Sequence, residues 1–484
     1  MAMSGAQTRL AFFSSLFLFI LLSPVVAADG VSFKFDVNES AWDLVSENEQ
    51  LCVISYNDGM QNLLLSIYLE PDELTGENAV WLFPVPASPL DTMIDINKEF
   101  PSFTGFDIQR SAAGKLSDAF MLMRYTQGYP YILFRYPLFV RREAGTAGPP
   151  SEGSTTVENE EVTIHSKVEK MGLTTELIST TEGNAFHDYL STKGLNLVEA
   201  HISLLDSYIG QDYSFVVAYV SDLEQFKAET EAIWWGGVQS DMRSWLKWEM
   251  ERYVREEGWD EITAARHLNQ LYGTDVIPIG NMASLSITFP TERMYYPLKP
   301  TNLYGSKIVP APIIVLGHVS PDFYPNIKST SEVKYYISEE YYPSENLRWL
   351  FDGESEIHDL RYTKISLNPE ASDLTEDLWI DSSTPMSVSL ANLVYEHPAA
   401  IALIFFALCS VLASTVASIV IYRRNTSKKL ALWGLWNFLT LIGFIVAAKF
   451  LLKAKKKLKF SLLFTFLFVG LTIGFEFILI SLVY

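Results

Sequence analysis

The sequence predicts an α+β protein. Its head is mostly antiparallel sheet with a helical insertion, and C-terminal transmembrane helices follow. Three observations predict this. Short β-branched and aromatic runs recur through most of the chain, punctuated by Gly, Pro and Asn-Asp turns. From Leu223 to Tyr272 the apolar spacing becomes helical. Three apolar segments then close the chain, at 399–421, 430–448 and 460–483, each about the 20 residues a helix needs to cross a bilayer.

The chain starts with a lone early charge, Arg9, then the Leu- and Phe-rich run Leu10–Leu22. Ser23-Pro24 breaks the run, and Val25-Val26-Ala27-Ala28 supplies small residues for cleavage. This is the layout of a secretory signal peptide over residues 1–28, and it places residues 29–397 outside the cytoplasm. The whole chain carries 36 basic and 57 acidic residues. Only one basic residue precedes position 29, and the segment after 397 holds ten basic residues and one acidic. The head is therefore left at a net −31 and the tail at +9. Such a head excludes nucleic acid and anionic lipid surfaces as partners, since both require positive charge. Of the two cysteines, Cys52 lies in the apolar run Leu51–Ile54 and Cys409 in the first apolar segment. No disulfide framework follows, and Cys52 reads as a buried thiol.

Leu51–Tyr56 and Leu63–Leu69 read as strands around an Asn57-Asp58-Gly59 turn. Ala79–Phe83 leads into Pro84-Val85-Pro86-Ala87-Ser88-Pro89, where prolines are expected to end the strand in a stiff extended exit. Tyr129–Val140 suits edge strands, and 143–159 has little to bury and reads as a flexible loop. Strands are expected at 162–168, 173–180 and 213–220, with short helices at 185–192 and 198–209. In the insertion, 223–272, Met242, Trp245, Leu246, Met250, Tyr253 and Val254 share one helical face, which Glu249 interrupts. Five of the eleven tryptophans lie between Trp234 and Trp259. That bias suits a lid, a docking helix or an element on the membrane surface, and equally an insertion packed on the sheet. Strands return at 284–289, 294–298, 308–316, 333–338, 360–367 and 377–381.

Trp81-Leu82-Phe83-Pro84-Val85-Pro86 resembles the Trp-Val-Leu-Pro-Val-Pro hallmark of an exported prokaryotic family known only as a domain of unknown function. Neighbouring segments are similar too, in the same order. They are Val53–Gly59, Val168–Gly172, Tyr189–Gly194, Tyr213–Val217, Phe289–Thr291 with Tyr296–Leu298, and Tyr362–Ile365 with Asp377-Leu378. Leu-Phe stands here where the family has Val-Leu, and the 223–272 region looks like an addition. The N-terminal cysteines of many members are missing apart from Cys52. The resemblance covers about residues 29–385, marks Trp81, Pro84 and Pro86, and implies no catalytic residues.

Seven histidines are scattered singly, and no zinc-protease, nucleophile-elbow or phosphate-loop pattern occurs. Glu354, Glu356 and His358 would share one face of a strand and offer oxygen and imidazole ligands to a metal. A solvated turn is the alternative. His187-Asp188 has the makings of an orienting pair, with no partner serine identifiable. No cofactor is expected.

In the tail, Arg423, Arg424, Lys428 and Lys429 follow the first segment, and six lysines from Lys449 to Lys459 follow the second. Three spans are expected, which sets the second basic group against the charge rule. A re-entrant 430–448 would keep both groups inside. Ser410, Ser414 and Ser418 recur on one helical face, and Gly470 and Gly474 form a Gly-x-x-x-Gly, so these faces are expected to pack together or against another chain. Glu476, a carboxyl in an apolar segment, is expected to meet a partner, interfacial water or Asn437. The partners implied are the lipid bilayer and, through these helices, another membrane protein. The leading function is a non-enzymatic binding, envelope-organising or assembly module. The alternatives are a membrane-tethered hydrolase and an accessory subunit of a transport or processing complex.

Overall fold

A computed structural model describes residues 31–36, 41–44, 52–69, 79–126, 162–193, 199–233, 240–272, 277, 279–308, 310–422 and 454–483. The signal peptide, the 143–159 loop, the proposed strands at 129–140, the 430–448 segment and Asn437 lie outside these residues.

In chain order the strands are β1 (Val31–Asp36), β2 (Ala41–Leu44), β3 (Cys52–Asn57), β4 (Met60–Leu69), β5 (Ala79–Val85), β6 (Met93–Asn97), β7 (Phe106–Asp107), β8 (Val162–Lys170), β9 (Leu173–Thr180), β10 (Ser214–Val220), β11 (Glu231–Ile233), β12 (Ile279–Pro290), β13 (Met294–Tyr296), β14 (Ala311–Leu316), β15 (Ser320–Asp322), β16 (Ser331–Tyr341), β17 (Ile357–Leu367) and β18 (Leu378–Asp381). They form a six-stranded sheet in the order β2-β1-β5-β10-β9-β8. A nine-stranded sheet runs β11-β12-β4-β3-β14-β17-β16-β7, with β6 also on β12, and β13-β18-β15 make a small third sheet. Among the described pairs only β3 with β14 is parallel.

The two large sheets pack face to face. Trp81, Phe83, Val85, Leu177, Val216 and Ala218 from one meet Cys52, Ile54, Leu63, Leu65, Leu285 and Ile287 from the other. Alternation sends Val80, Leu82, Ile178, Phe215 and Val217 the opposite way, under helices Gly183–Thr192 and Glu199–Asp206. The outer face of the nine-stranded sheet, with Val53, Leu64 and Ile314, is covered by Phe103, Leu347, Leu350 and Phe351. Both faces are therefore buried along central strands such as β3, β9 and β10, while β8, β16 and β17 keep partly or fully exposed positions. This explains why the central strands read as continuous apolar runs rather than alternating ones.

Several expectations shift. Pro84 does not end β5 but lies inside it, opposite Phe215 of β10. Among the described residues β1 pairs β5 only as far as Leu82, and the proline is paired with β10. The insertion is helix Leu223–Glu229, strand β11, then helices Ser240–Glu257 and Glu261–Tyr272. Its core is Leu246, Met250, Ala264, Ala265 and Leu268, whereas Trp245 turns outward against Tyr272.

The largest addition is helix Ile108–Thr126, which leaves β7 at the edge of the nine-stranded sheet. Ile108, Ala112, Leu116 and Phe120 are fully buried. They pack in one cluster with helix Met386–Glu396 and two long apolar helices, Pro398–Tyr422 and Ala454–Val483. Each apolar helix has a 20-residue stretch long and apolar enough to cross a membrane, Pro398–Ala417 and Leu463–Leu482. The head and the apolar helices thus share a core instead of being joined by a bare tether.

Candidate functional site

Segments far apart in sequence meet at one cleft. The β3–β4 hairpin turns through Asp58 (φ 49°) and Gly59 (φ 84°), a pair of left-handed residues that suits an Asp-Gly hairpin. The Gly59 carbonyl accepts from the Thr291 N–H at 2.9 Å, and Tyr56 Oη donates to the carbonyls of Thr291 and Glu292 at 3.0 Å. Gln61, fully buried, pairs with the Tyr295 backbone in both directions at 2.7 Å, a side chain standing in for a strand. Pro86, leaving β5, joins Gly59, Pro290, Thr291, Glu292, Arg293 and Trp379 around a space of about 680 Å³. Arg293 is already engaged: Nε lies 2.8 Å from Asp381, and a terminal nitrogen lies 3.2 Å from Asp322. The Thr291 hydroxyl donates to the Arg293 carbonyl at 2.6 Å. The lining is rings, turns and a neutralised guanidinium, which suits recognition by shape and stacking.

Behind Trp379 lies a carboxylate network. The Trp379 ring is 5.0 Å from that of Tyr295, whose hydroxyl donates to Asp377 at 3.0 Å. Tyr208 Oη donates to Asp377 at 3.1 Å and the Lys299 N–H at 2.9 Å. Burial pushes the Asp377 carboxyl up, against the pull of the Lys299 N–H, the two phenols and the Lys299 charge. Burial and then the Asp377 charge push Tyr213 up to about 12, and Tyr208 and Tyr295 also rise. None of these phenols is poised to act as a base near neutral pH. The network fastens β13, β18 and two loops together.

A second buried carboxylate, Glu176 on β9, is 1% exposed. It accepts from Tyr189 Oη, from Lys193 Nζ at 3.0 Å and from Tyr219 Oη at 2.9 Å. Burial raises its pKa, but the bonds from Tyr189 and Lys193, the Lys193 charge and the Tyr219 bond outweigh it, and the net shift is downward.

The other sequence-predicted residues fall as follows. Trp81 and Pro84 are buried in the sheet interior, and of the hallmark only Pro86 reaches the cleft. Glu354 and Glu356 precede β17, which starts at Ile357, so they do not share a strand face with His358. All three are exposed, Glu356 lies 3.5 Å from His358 and accepts from Tyr342 at 3.0 Å, and no group of three metal-ligating residues occurs among the described residues. His187 faces Asp206 at 3.3 Å, not the adjacent Asp188.

In the apolar helices Ser410 and Ser414 are buried, and the Ser418 side chain lies outside the description. Gly470 and Gly474 do not pack against the serine face. They are exposed, and among the described residues nothing lies within 4 Å of an added Cβ. Phe464, Phe468 and Thr472 make the inward face instead. Glu476 pairs with Arg124 at the end of helix Ile108–Thr126. Sequence reasoning missed this partner. Its available signal was Ile108, Ala112, Leu116 and Phe120 at a spacing of four.

No family model, curated protein or solved structure matches the chain.

Proposed function

We propose that this chain is a membrane-anchored protein with its acidic head outside the cytoplasm, acting as a non-enzymatic recognition and assembly module. The observation that carries this reading is the shared core of helix Ile108–Thr126 and the two apolar helices, closed by Arg124 and Glu476. Such a mount fixes the head against the membrane helices, as a presenting module requires. The signal-peptide layout supports the export direction. The cleft, which three of the family-like segments line through Gly59, Pro86 and Pro290-Thr291, is the recognition surface.

Two measurements test this. The full chain should sediment with membranes, resist alkaline carbonate and be released by detergent, and protease added to intact cells should remove the head. Recovery as a soluble species, or a protected head, overturns the anchoring. A photo-crosslinking residue at Thr291 should give a discrete adduct that the same residue at Ser329 does not. Equal adducts at both positions overturn the assignment of the cleft.

A second reading, an accessory subunit of a membrane complex, is favoured by the open Gly470–Gly474 face with Phe466 and Phe477 exposed beside it. Gly470→Leu should then release a co-purifying membrane protein while leaving the Arg124–Glu476 pair intact.

A further inference from the structure

We propose that helix Ile108–Thr126 enters the bilayer with its final third, so that the head itself inserts a segment among the lipid chains beside the two apolar helices. The inference rests on the reading that those helices cross the membrane.

Two independent observations point there. The first is depth. Glu476 lies within the apolar stretch Leu463–Leu482, about 9 Å from its nearer end at 1.5 Å per residue. Arg124 is in salt-bridge contact with it, so the helix carrying Arg124 reaches that level. Phe120, one turn earlier, packs at a tilt against Phe406, inside the other apolar stretch, with ring centroids 5.5 Å apart. The second is the exposed face of the helix. In its first part that face carries Arg110, Lys115 and Asp118. After Asp118 it carries Met121 (36% exposed) and Leu122 (63% exposed). The polar-to-apolar change falls just before the level at which the helix reaches Glu476. A helix crossing from headgroups into hydrocarbon changes its outer face in this direction, and the depth of Glu476 puts the change at that boundary. The arginine then has a physical role. An unpaired carboxylate at that depth is expensive, and a cation brought in from the head neutralises it.

The occupant of the Met121–Leu122 face is therefore lipid hydrocarbon, continuous with the lipid around Leu403, Ile404 and Leu408 of the neighbouring helix, all exposed.

The test uses the full chain in phospholipid vesicles, with single cysteines carrying an environment-sensitive fluorophore. Cys52 and Cys409 are at most 1% exposed and stay unlabelled without replacement. The reporters are Leu122→Cys, Arg110→Cys as the water control and Leu408→Cys as the membrane control. Leu122→Cys should emit to the blue and be quenched several-fold more by chain-labelled doxyl lipid than by aqueous iodide, as Leu408→Cys is, while Arg110→Cys shows the reverse. If Leu408→Cys is lipid-quenched and Leu122→Cys is iodide-quenched, the insertion is overturned and the anchoring stands. If both are iodide-quenched, the anchoring reading falls and takes the insertion with it. Shielding of Leu122→Cys from both quenchers would assign the face to another protein chain and overturn the proposal.

Discussion

Glu176 and Asp377 are both carboxylates sunk into the head, and both are held by tyrosines, yet their proton affinities move in opposite directions. Glu176 has the Tyr189 bond and, beyond it, a cation in direct contact. Lys193 puts its ammonium 3.0 Å from Glu176. Asp377 receives the Lys299 backbone N–H, while the Lys299 ammonium is turned to Ser207 at 2.6 Å. Neutral donors lessen the desolvation of a buried carboxylate, and an adjacent full charge reverses it. Glu476 is a third carboxylate with a cation beside it, an arginine from a different part of the chain.

Removing the cation should break the contrast most strongly. Lys193→Met leaves Glu176 buried with only the more distant Lys167 ammonium, 3.9 Å away, as counter-charge, and should lower unfolding stability by about 3 kcal/mol, read from denaturant midpoints. Glu176→Gln in the same background should restore much of it. Arg124→Leu strands Glu476 among apolar side chains at about 2.5–3.5 kcal/mol, and the exchange Arg124→Glu with Glu476→Arg should recover most of the detergent-solubilised melting temperature. Asp377→Ala leaves two phenols and one N–H without their acceptor and should cost about 2 kcal/mol, whereas Asp377→Asn, which keeps an oxygen, should cost less.

The pH dependence sharpens the contrast at smaller amplitude. The Glu176 pKa is depressed in the folded state from 4.5. Its contribution is thus present above 4.5 and lost as pH falls through the lower folded value. The Asp377 pKa is raised from 3.8, so its contribution is present below 3.8 and lost as pH rises through the higher folded value. Stability measured across the acid range should fall toward low pH less steeply in Glu176→Gln than in the wild type. Asp377→Asn should gain on the wild type as pH rises. Identical slopes in both variants would remove the distinction.

How much of this was legible follows from what the chain encodes locally. Strand β9 matches its expected bounds at Leu173–Thr180, because continuous apolar runs between turns are a local signal. The hairpin at Asp58-Gly59 was legible for the same reason. Helix Ile108–Thr126 was not, because two of its four buried contacts are an alanine and an isoleucine at the very start, and its outer face carries charge for only part of its length. The cleft was hidden because Gly59, Pro86, Thr291 and Trp379 become neighbours only through sheet pairing. The carboxylate networks were hidden because Glu176 and Asp377 sit in segments whose apolar neighbours dominate the pattern. Glycine spacing at Gly470 and Gly474 predicted packing with the serine face or against another chain; within the described residues the bulky Phe464 and Phe468 make the inward face instead.

The parallel pairing of β3 with β14 carries a consequence for how the molecule is made. Strand β3 has β4 as its immediate hairpin partner, but its other neighbour, β14, is separated from it by more than half the chain. Strand β4 likewise waits for β12. A nascent chain that has produced only its first half therefore presents two open strand edges with nothing to pair, the arrangement most prone to adhere to other chains. Premature termination before Ala311 should yield insoluble fragments rather than small stable domains, and synthesis in the cell must shelter that half until the remainder arrives.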